Sequence, residues 1–224
     1  MYSFRNDYSE GAHPKVLQAL ADTNLRQTVG YGMDPCCQAA ADTIRRLCAA
    51  PDAAVHFLVG GTQVNLVTID AFLQSYEAVV AAQTGHVSTH ETGAIEATGH
   101  KVCTVESPDG KLTPALVESV LAGHNGTEHM VLPRMVYISD TTEIGTVYTR
   151  AELAALRQCC DVHGLFLYLD GARLGSALAS PASDLTLPDL AELTDAFYIG
   201  GTKNGALMGE ALVIANPALQ PDFF

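Results

Sequence analysis

Short apolar runs alternate along this chain with stretches in which apolar residues recur at helical spacing. The periodic stretches predict helices from the Gly60-Gly61-Thr62 turn to about Leu73, from Thr113 onward, and from Thr149 onward. Thr149 and Glu152 have the spacing of a capping box, and His163-Gly164 is typical of a helix end. The apolar runs predict strands at residues 54–59, 77–81, 101–105, 134–139, 165–169, 196–199 and 211–215.

Strands of unbroken apolar character that alternate with helices are typical of an α/β fold, with a mainly parallel sheet sandwiched by helices. Asp34-Pro35 and residues 180–183 are predicted loops, and no repeat or interdomain linker interrupts the pattern. We therefore expect residues 1–224 to form one domain. In such sheets ligands bind at the carboxyl ends of the strands, so residues that directly follow a strand are the candidates for chemistry.

The composition narrows the classes of partner. Hydrophobic residues make up 48% of the 224 residues and charged residues 17%, which supports a folded core rather than a disordered chain. Acidic residues outnumber basic ones 25 to 12, for a net charge of −13, so we expect no nucleic-acid partner. Because no apolar run is long enough for a membrane helix and the first residues lack the pattern of a secretory signal, we expect a soluble, cytoplasmic protein.

Six cysteines are present, and four of them form the adjacent pairs Cys36-Cys37 and Cys159-Cys160. No pair has C-x-x-C spacing, and adjacent cysteines suit neither zinc nor ordinary disulfides. We therefore expect reduced, structural thiols and no metal site.

Two glycines and a threonine, Gly60-Gly61-Thr62, follow the first predicted strand. Glycine lets the backbone approach a ligand closely, and a helix N-terminus offers free N–H groups, so this turn is a candidate phosphate cup. The alternative is a tight strand-to-helix turn in which Thr62 is the N-cap.

Two charged residues follow other strands. Asp170 comes directly after residues 165–169, and Lys203 lies among glycines after residues 196–199. Three interpretations of Asp170 are open: it faces a ligand, it caps the following helix, or it holds magnesium. In the second and third interpretations, Arg173 is an ion-pair partner. Lys203 either reaches into the crevice or is a solvated hairpin lysine, and the glycines around it do not form a P-loop.

Pyridoxal 5′-phosphate has a group for each strand end: a phosphate for the cup, a cationic ring nitrogen for Asp170 and an aldehyde for Lys203. Such a ligand needs a side chain that stacks on its ring. We expect His90, which follows the strand at residues 77–81, to supply it; the alternative is an exposed loop histidine. A doubly wound phosphosugar or nucleotide domain with magnesium on Asp170 is a competing interpretation.

In five segments along its length, the chain resembles the threonine aldolase and β-eliminating lyase family. In sequence order, the segments are residues 4–7 (Phe-Arg-Asn-Asp), residues 60–65, the His90 region, residues 170–173 (Asp-Gly-Ala-Arg) and residues 201–203. That family belongs to the fold-type-I, aspartate-aminotransferase-like pyridoxal phosphate enzymes. The resemblance implies a large cofactor-binding domain, and a homodimer or homotetramer with active sites at subunit boundaries.

The resemblance also implies roles for individual residues. Lys203 would bind the cofactor aldehyde, Asp170 would contact the pyridine nitrogen, and Arg173 would lie beside the ring 3′-oxygen. The other residues that it implies are Gly61, Thr62 and Thr202 for the phosphate, His90 for the ring face and Asn6 near the substrate carboxylate.

The implied reaction is retro-aldol cleavage of L-threonine or L-allo-threonine to glycine and acetaldehyde. Glu143 stands where family members usually have a histidine, so it is a further catalytic candidate, as a base or as a ligand for a substrate amino group. The alternative for Glu143 is a loop acid paired with a surface cation. Family members continue into a small C-terminal domain, which we expect this chain to lack. A β-eliminating lyase for another amino acid and a noncatalytic pyridoxal-phosphate-binding remnant stay open as alternatives.

Overall fold

A seven-stranded sheet forms the centre of the described residues, 3–124, 126–221 and 223, in a computed structural model of the chain. The strands are β1 Ala54–Leu58, β2 Glu77–Ala82, β3 Lys101–Val105, β4 Leu132–Ser139, β5 Phe166–Asp170, β6 Ala196–Gly200 and β7 Glu210–Ile214. The helices are α1 Pro14–Thr23, α2 Pro35–Leu47, α3 Gly61–Phe72, α4 His86–Thr89, α5 Ala94–Ala97, α6 Pro114–Ala122, α7 Arg150–His163, α8 Leu174–Ala179 and α9 Leu187–Leu193, followed by a short 3-10 turn at Pro217–Leu219.

The strand order is β1-β7-β6-β5-β4-β2-β3, and the four pairs from β6 to β3 are parallel. The prediction of a mainly parallel sheet is therefore confirmed. β7 is antiparallel to both of its neighbours, because the short connection after β6 allows a direct return but no helical crossover. Since β7 runs opposite to both β1 and β6, those two strands point the same way. The carboxyl ends of β1, β5 and β6 consequently lie at one edge of the sheet.

Apolar side chains alternate between the two faces of the sheet and build two cores. One face, which includes Val136, Leu167 and Phe197, is covered by α2, α6, α7, α8 and α9. The other face, which includes Met135 and Tyr168, is covered by α3, α4 and α5. Because both faces are covered, the central strands read as continuous apolar runs in the sequence.

Helices α1 and α2 were not predicted, because they bury almost no apolar surface: α1 has no buried residue and α2 has one, Ala41. The prediction of a loop at Asp34-Pro35 is wrong. The Asp34 carboxylate caps α2 by accepting hydrogen bonds from the N–H groups of Cys36 and Cys37, and Pro35 occupies the first helical position, where its missing N–H costs nothing.

Residues 180–183 form a loop, as predicted. Within the ranges given above, no helix has the length and apolar character needed to cross a membrane.

Candidate active site

A cavity of about 340 Å³ opens at the edge of the sheet where β1, β5 and β6 end. Ligand sites in open α/β sheets occur at such carboxyl ends. The predicted residues among those that line the cavity are Gly61, Thr62, Glu143, Asp170, Arg173, Thr202 and Lys203. Asn6 and His90 are not among the residues that line it.

Asp170, at the end of β5, has only 4% of its surface exposed. Its Oδ2 accepts hydrogen bonds from the Tyr137 hydroxyl at 2.6 Å and the Asn65 amide at 2.9 Å. Its Oδ1 accepts from the Tyr198 hydroxyl at 2.5 Å and the Ala172 N–H at 3.0 Å. Four donors on one carboxylate stabilise its negative charge. They also occupy the lone pairs that a magnesium ion would need, which disfavours magnesium coordination by Asp170.

The tyrosines around Asp170 are held in their neutral, hydrogen-donating form. Burial, together with the charge of Asp170, raises the pKa of both Tyr137 and Tyr198 far above the ordinary value. Tyr198 differs from Tyr137 in that it also lines the cavity. A ring N–H that binds Asp170 from the cavity would therefore compete with the Tyr198 hydroxyl.

The backbone of the Asp-Gly-Ala-Arg segment passes so close to β6 that residue 171 must be glycine. A Cβ atom at Gly171 would lie 1.8 Å from the carbonyl oxygen of Tyr198, a backbone atom that cannot move aside. The same contact includes a hydrogen bond from the Gly200 N–H to the Gly171 carbonyl at 2.9 Å. This close approach fixes Asp170 relative to the segment that carries Lys203.

Lys203 lies in the connection between β6 and β7 and is partly buried in the cavity wall. Burial lowers its pKa and Arg173 lowers it further, while Asp7, Asp170 and Glu210 act in the opposite direction. A lowered pKa increases the neutral fraction of the amine, which is the form that attacks a carbonyl group. The site therefore presents a lysine suited to covalent chemistry with an aldehyde.

The Gly60-Gly61-Thr62 turn begins helix α3. Gly60 is the N-cap and provides no side-chain cap, so Thr62 is inside the helix rather than its N-cap. The N–H groups of the first helical turn are consequently left for another acceptor, and the helix dipole favours an anion there. A Cβ atom at Gly61 would lie 2.9 Å from the hydroxyl of the buried Tyr198, so a larger residue here would displace one of the donors to Asp170.

Of the two histidines that follow β2, His86 rather than His90 lines the cavity. His90 is exposed and lies at the end of α4, with its Nδ1 atom 2.6 Å from the Thr89 hydroxyl. His86 Nδ1 lies 2.8 Å from Glu91 Oε1, and this contact raises the pKa of His86. His86 comes four residues after the end of β2, and the His90 ring stacks on the His86 ring with the two centroids 5.6 Å apart.

Glu143 also lines the cavity. Its Oε1 atom accepts hydrogen bonds from the Ser139 hydroxyl at 2.7 Å and from the His86 N–H at 2.9 Å. It therefore connects the end of β4 to α4, and in residues 3–124, 126–221 and 223 its carboxylate forms no ion pair.

Two buried residues of the site were given no role from the sequence. Asn65, on α3, donates through Nδ2 to Asp170 Oδ2 at 2.9 Å and to Glu91 Oε1 at 2.6 Å. The Tyr168 hydroxyl donates to Asn65 Oδ1 at 2.9 Å. Asn65 thus bridges two buried carboxylates and connects Asp170 to His86 through Glu91. An amide among the buried positions Val64, Ile69 and Phe72 of α3 is the sequence signal that could have identified it.

Arg173 and Thr202 are each held by a carboxylate, whereas Asn6 lies outside the main cavity. Arg173 forms a two-point ion pair with Asp7, with distances of 2.5 and 3.2 Å. The Thr202 hydroxyl donates to Glu210 Oε1 at 2.8 Å, so its proton is already used in a hydrogen bond within the protein. Asn6 lies in an adjoining cavity of about 250 Å³, which Lys203 and Thr202 also line.

These residues fit pyridoxal phosphate as a group. The uncapped start of α3 suits a phosphate, Lys203 suits the aldehyde, and the buried Asp170 suits a protonated ring nitrogen. The imidazole of His86 lies at the same cavity and suits the face of the ring.

The chain matches the beta-eliminating lyase family over residues 4–220. It is 37% identical to the low specificity L-threonine aldolase of Pseudomonas sp. (strain NCIMB 10558), in an alignment that covers 98% of this chain and 64% of that protein. It is 35% identical to the protein of the same name from Pseudomonas aeruginosa, with the same coverage. The chain thus spans less than two thirds of the length of these curated relatives.

A solved structure of threonine aldolase from Leishmania major superposes on the whole chain with a TM-score of 0.97 and 58% sequence identity, and the match covers 65% of that structure. The fold-type-I prediction and the resemblance to threonine aldolases are thereby confirmed. Since the family match covers nearly the entire chain, this protein belongs to the beta-eliminating lyase family.

Proposed function

We propose that the chain is the cofactor-binding part of a pyridoxal-phosphate-dependent lyase that cleaves L-threonine or L-allo-threonine to glycine and acetaldehyde. The observation that supports this proposal is the convergence on one cavity of the Lys203 amine, the buried Asp170 carboxylate and the uncapped start of α3. The similarity to L-threonine aldolases directs the choice of substrate.

Each of these groups has a distinct task in the proposal. Lys203 binds the cofactor aldehyde, and the N–H groups of Gly61 and Thr62 hold the phosphate. Asp170 keeps the ring nitrogen protonated. Arg173 lies beside the ring oxygen. When bound, pyridoxal phosphate accepts the electron pair that is released at the substrate α-carbon.

The proposed residue for the ring face is His86 in place of His90. His86 lines the cavity, and Glu91 fixes the orientation of its ring through Nδ1. A charged or hydrogen-bonded imidazole that is oriented before substrate binds costs no reorganisation during the reaction.

Glu143 is the proposed acceptor of the substrate hydroxyl proton. Its carboxylate lines the cavity, and two hydrogen bonds to Oε1 hold it in place. General-base catalysis of this kind contributes a factor of about 10²–10⁴. Lys203 is the second group for proton transfer, because burial lowers its pKa and so makes the neutral amine easier to form. Asn6 adjoins Lys203 from the neighbouring cavity and is the proposed contact for the substrate carboxylate.

We further propose that the protein is a homodimer or homotetramer. Large apolar side chains are exposed throughout the N-terminal segment, including Phe4 at 98%, Leu25 at 91% and Tyr31 fully. Helix α1 buries none of its residues although Leu17 and Leu20 lie on it. So many exposed large apolar side chains in one segment favour an interface, and a second copy of the chain would cover them.

A β-eliminating lyase that acts on another amino acid is the second candidate. The observation that favours it is Glu143, at the position where the implied family pattern has a histidine. A carboxylate at the cavity can bind a substrate amino group as well as accept a proton.

The test is to measure products with added pyridoxal phosphate. We expect glycine and acetaldehyde from L-threonine or L-allo-threonine, and none from the Lys203→Ala variant, while Lys101→Ala, an exposed lysine on β3, keeps the activity. Release of ammonia and a 2-oxo acid from another amino acid, without acetaldehyde from threonine, selects the second candidate. Cofactor binding without turnover of any substrate selects a noncatalytic cofactor-binding protein.

A further inference from the structure

A cluster of three potential metal ligands lies outside the cavity, between helices α6 and α7. Cys159 and His163 are four residues apart on α7 and share one face of that helix, and Glu118 faces them from α6. One ligating atom from each of the three lies within 4.8 Å of the other two. His163 is the last residue of α7 and precedes β5, so the cluster is at the amino end of the strands, opposite to Asp170.

The spacing of these atoms is close to what one ion requires. His163 Nε2 and Glu118 Oε1 are 3.7 Å apart, which is too long for a hydrogen bond. Two such ligands at about 2.0–2.1 Å from a tetrahedral zinc ion are separated by about 3.3 Å. Small side-chain rotations are therefore sufficient to bring these two atoms to bonding distance, and the Cys159 sulfur lies within 4.8 Å of both.

The chemistry and the exposure of the three side chains also suit an ion. Thiolate, imidazole and carboxylate are the ligand types that zinc takes, and three protein ligands leave one position for water. The side chains of Glu118 and His163 are 58% and 36% exposed, so an ion can enter from solvent. Cys159 is buried beneath them, where it is protected from competing thiol chemistry.

We propose that Glu118, Cys159 and His163 form a binding site for a divalent ion of the zinc class, which joins α6 to α7. On binding, the Cys159 S–H bond breaks, its proton goes to solvent and the sulfur–metal bond forms with no change of oxidation state. The site stabilises the helical layer rather than taking part in catalysis. It does not depend on the proposed function.

The test uses the purified, metal-free chain and Co²⁺ as a spectroscopic probe, followed by competition with Zn²⁺. We expect one Co²⁺ per chain, with an absorption band from a cobalt–thiolate bond that Zn²⁺ removes. Cys159→Ser should abolish the band, whereas Cys36→Ser, an exposed thiol on α2, should leave it unchanged.

Two exposed positions keep the test independent of folding defects in the core. Glu118→Gln and His163→Gln should each weaken Co²⁺ binding by tenfold or more, while the circular dichroism spectrum stays unchanged. Zn²⁺ should also raise the melting temperature of the unmodified chain and not that of His163→Gln. A thiolate band that survives Cys159→Ser or is lost in Cys36→Ser, or the absence of any thiolate band, would overturn the proposal.

Discussion

Replacement of Asn65 by alanine should strongly destabilise the folded chain. The Asn65 amide donates to two buried carboxylates, those of Asp170 and Glu91, at 2.9 and 2.6 Å. Each hydrogen bond to a charged group contributes about 1.5–3 kcal/mol, so the two together contribute about 3–6 kcal/mol. In Asn65→Ala both carboxylates stay buried without the donor that separates them.

For a domain of this size, 1 kcal/mol changes the melting temperature by about 2–4 °C. Asn65→Ala should therefore lower it by roughly 6–24 °C, as measured by calorimetry or circular dichroism. Asn24→Ala, at the exposed end of α1, is the matched control and should change it by no more than about 1–2 °C, because surface substitutions stay within about 0.5 kcal/mol.

A double variant distinguishes the loss of the bridge from a simple cavity. Glu91→Gln removes one of the two charges and supplies an amide donor, so it should recover part of the stability of Asn65→Ala. The coupling between the two substitutions should exceed 0.5 kcal/mol, as for other residues in one hydrogen-bonded network. Equal melting temperatures for Asn65→Ala and Asn24→Ala, or strictly additive effects of Asn65→Ala and Glu91→Gln, would refute the reasoning.

Four further outcomes follow from the geometry of the site. Gly171→Ala should prevent folding to the native state, because its Cβ would lie 1.8 Å from the Tyr198 carbonyl, whereas Gly11→Ala meets open space and should be neutral in a thermal melt. Tyr198→Phe removes a hydrogen bond of about 1.5–3 kcal/mol that competes for Asp170, so it should tighten pyridoxal phosphate binding by about 10-fold or more. A fluorescence titration measures this affinity, and weaker binding would contradict the prediction. His86→Ala should weaken cofactor binding at least as much as it lowers turnover, while His90→Ala should leave cofactor binding unchanged. Equal effects of the two substitutions would contradict the assignment of His86, rather than His90, to the cofactor ring. Glu91 raises the pKa of His86 above 6.5, so the stability that this pair contributes is fully present below pH 6.5 and is lost as pH rises through the raised pKa. Urea unfolding measured across this pH range should show the loss in the unmodified chain and not in Glu91→Gln.

The sheet and the strand ends could be predicted because their signals are local. Each buried strand is an unbroken apolar run, and the residue that follows it is at the sheet edge in any parallel arrangement. That reasoning places Asp170, Lys203 and Gly61 at one cavity without knowledge of the strand order. Helices α1 and α2 were not predicted for the same reason, since they bury too little apolar surface to produce a clear pattern.

Contacts between distant parts of the chain could not be predicted in the same way. Asn65 and Asp170 are 105 residues apart, and their hydrogen bond depends on how α3 lies on the sheet. The choice between His86 and His90 could not be made from the sequence, because both candidates are histidines and only the path of the chain after β2 distinguishes them. Glu118 meets Cys159 only because α6 packs beside α7.

The most direct test of the account identifies which lysine binds the cofactor. The chain has four lysines: Lys15, Lys101, Lys111 and Lys203. After incubation with pyridoxal phosphate and reduction with borohydride, which makes the bond permanent, peptide mass spectrometry should find the added pyridoxyl group on Lys203 at one per chain. A label spread over the other three lysines, or unchanged labelling of the chain in Lys203→Ala, would contradict the placement of this amine opposite Asp170.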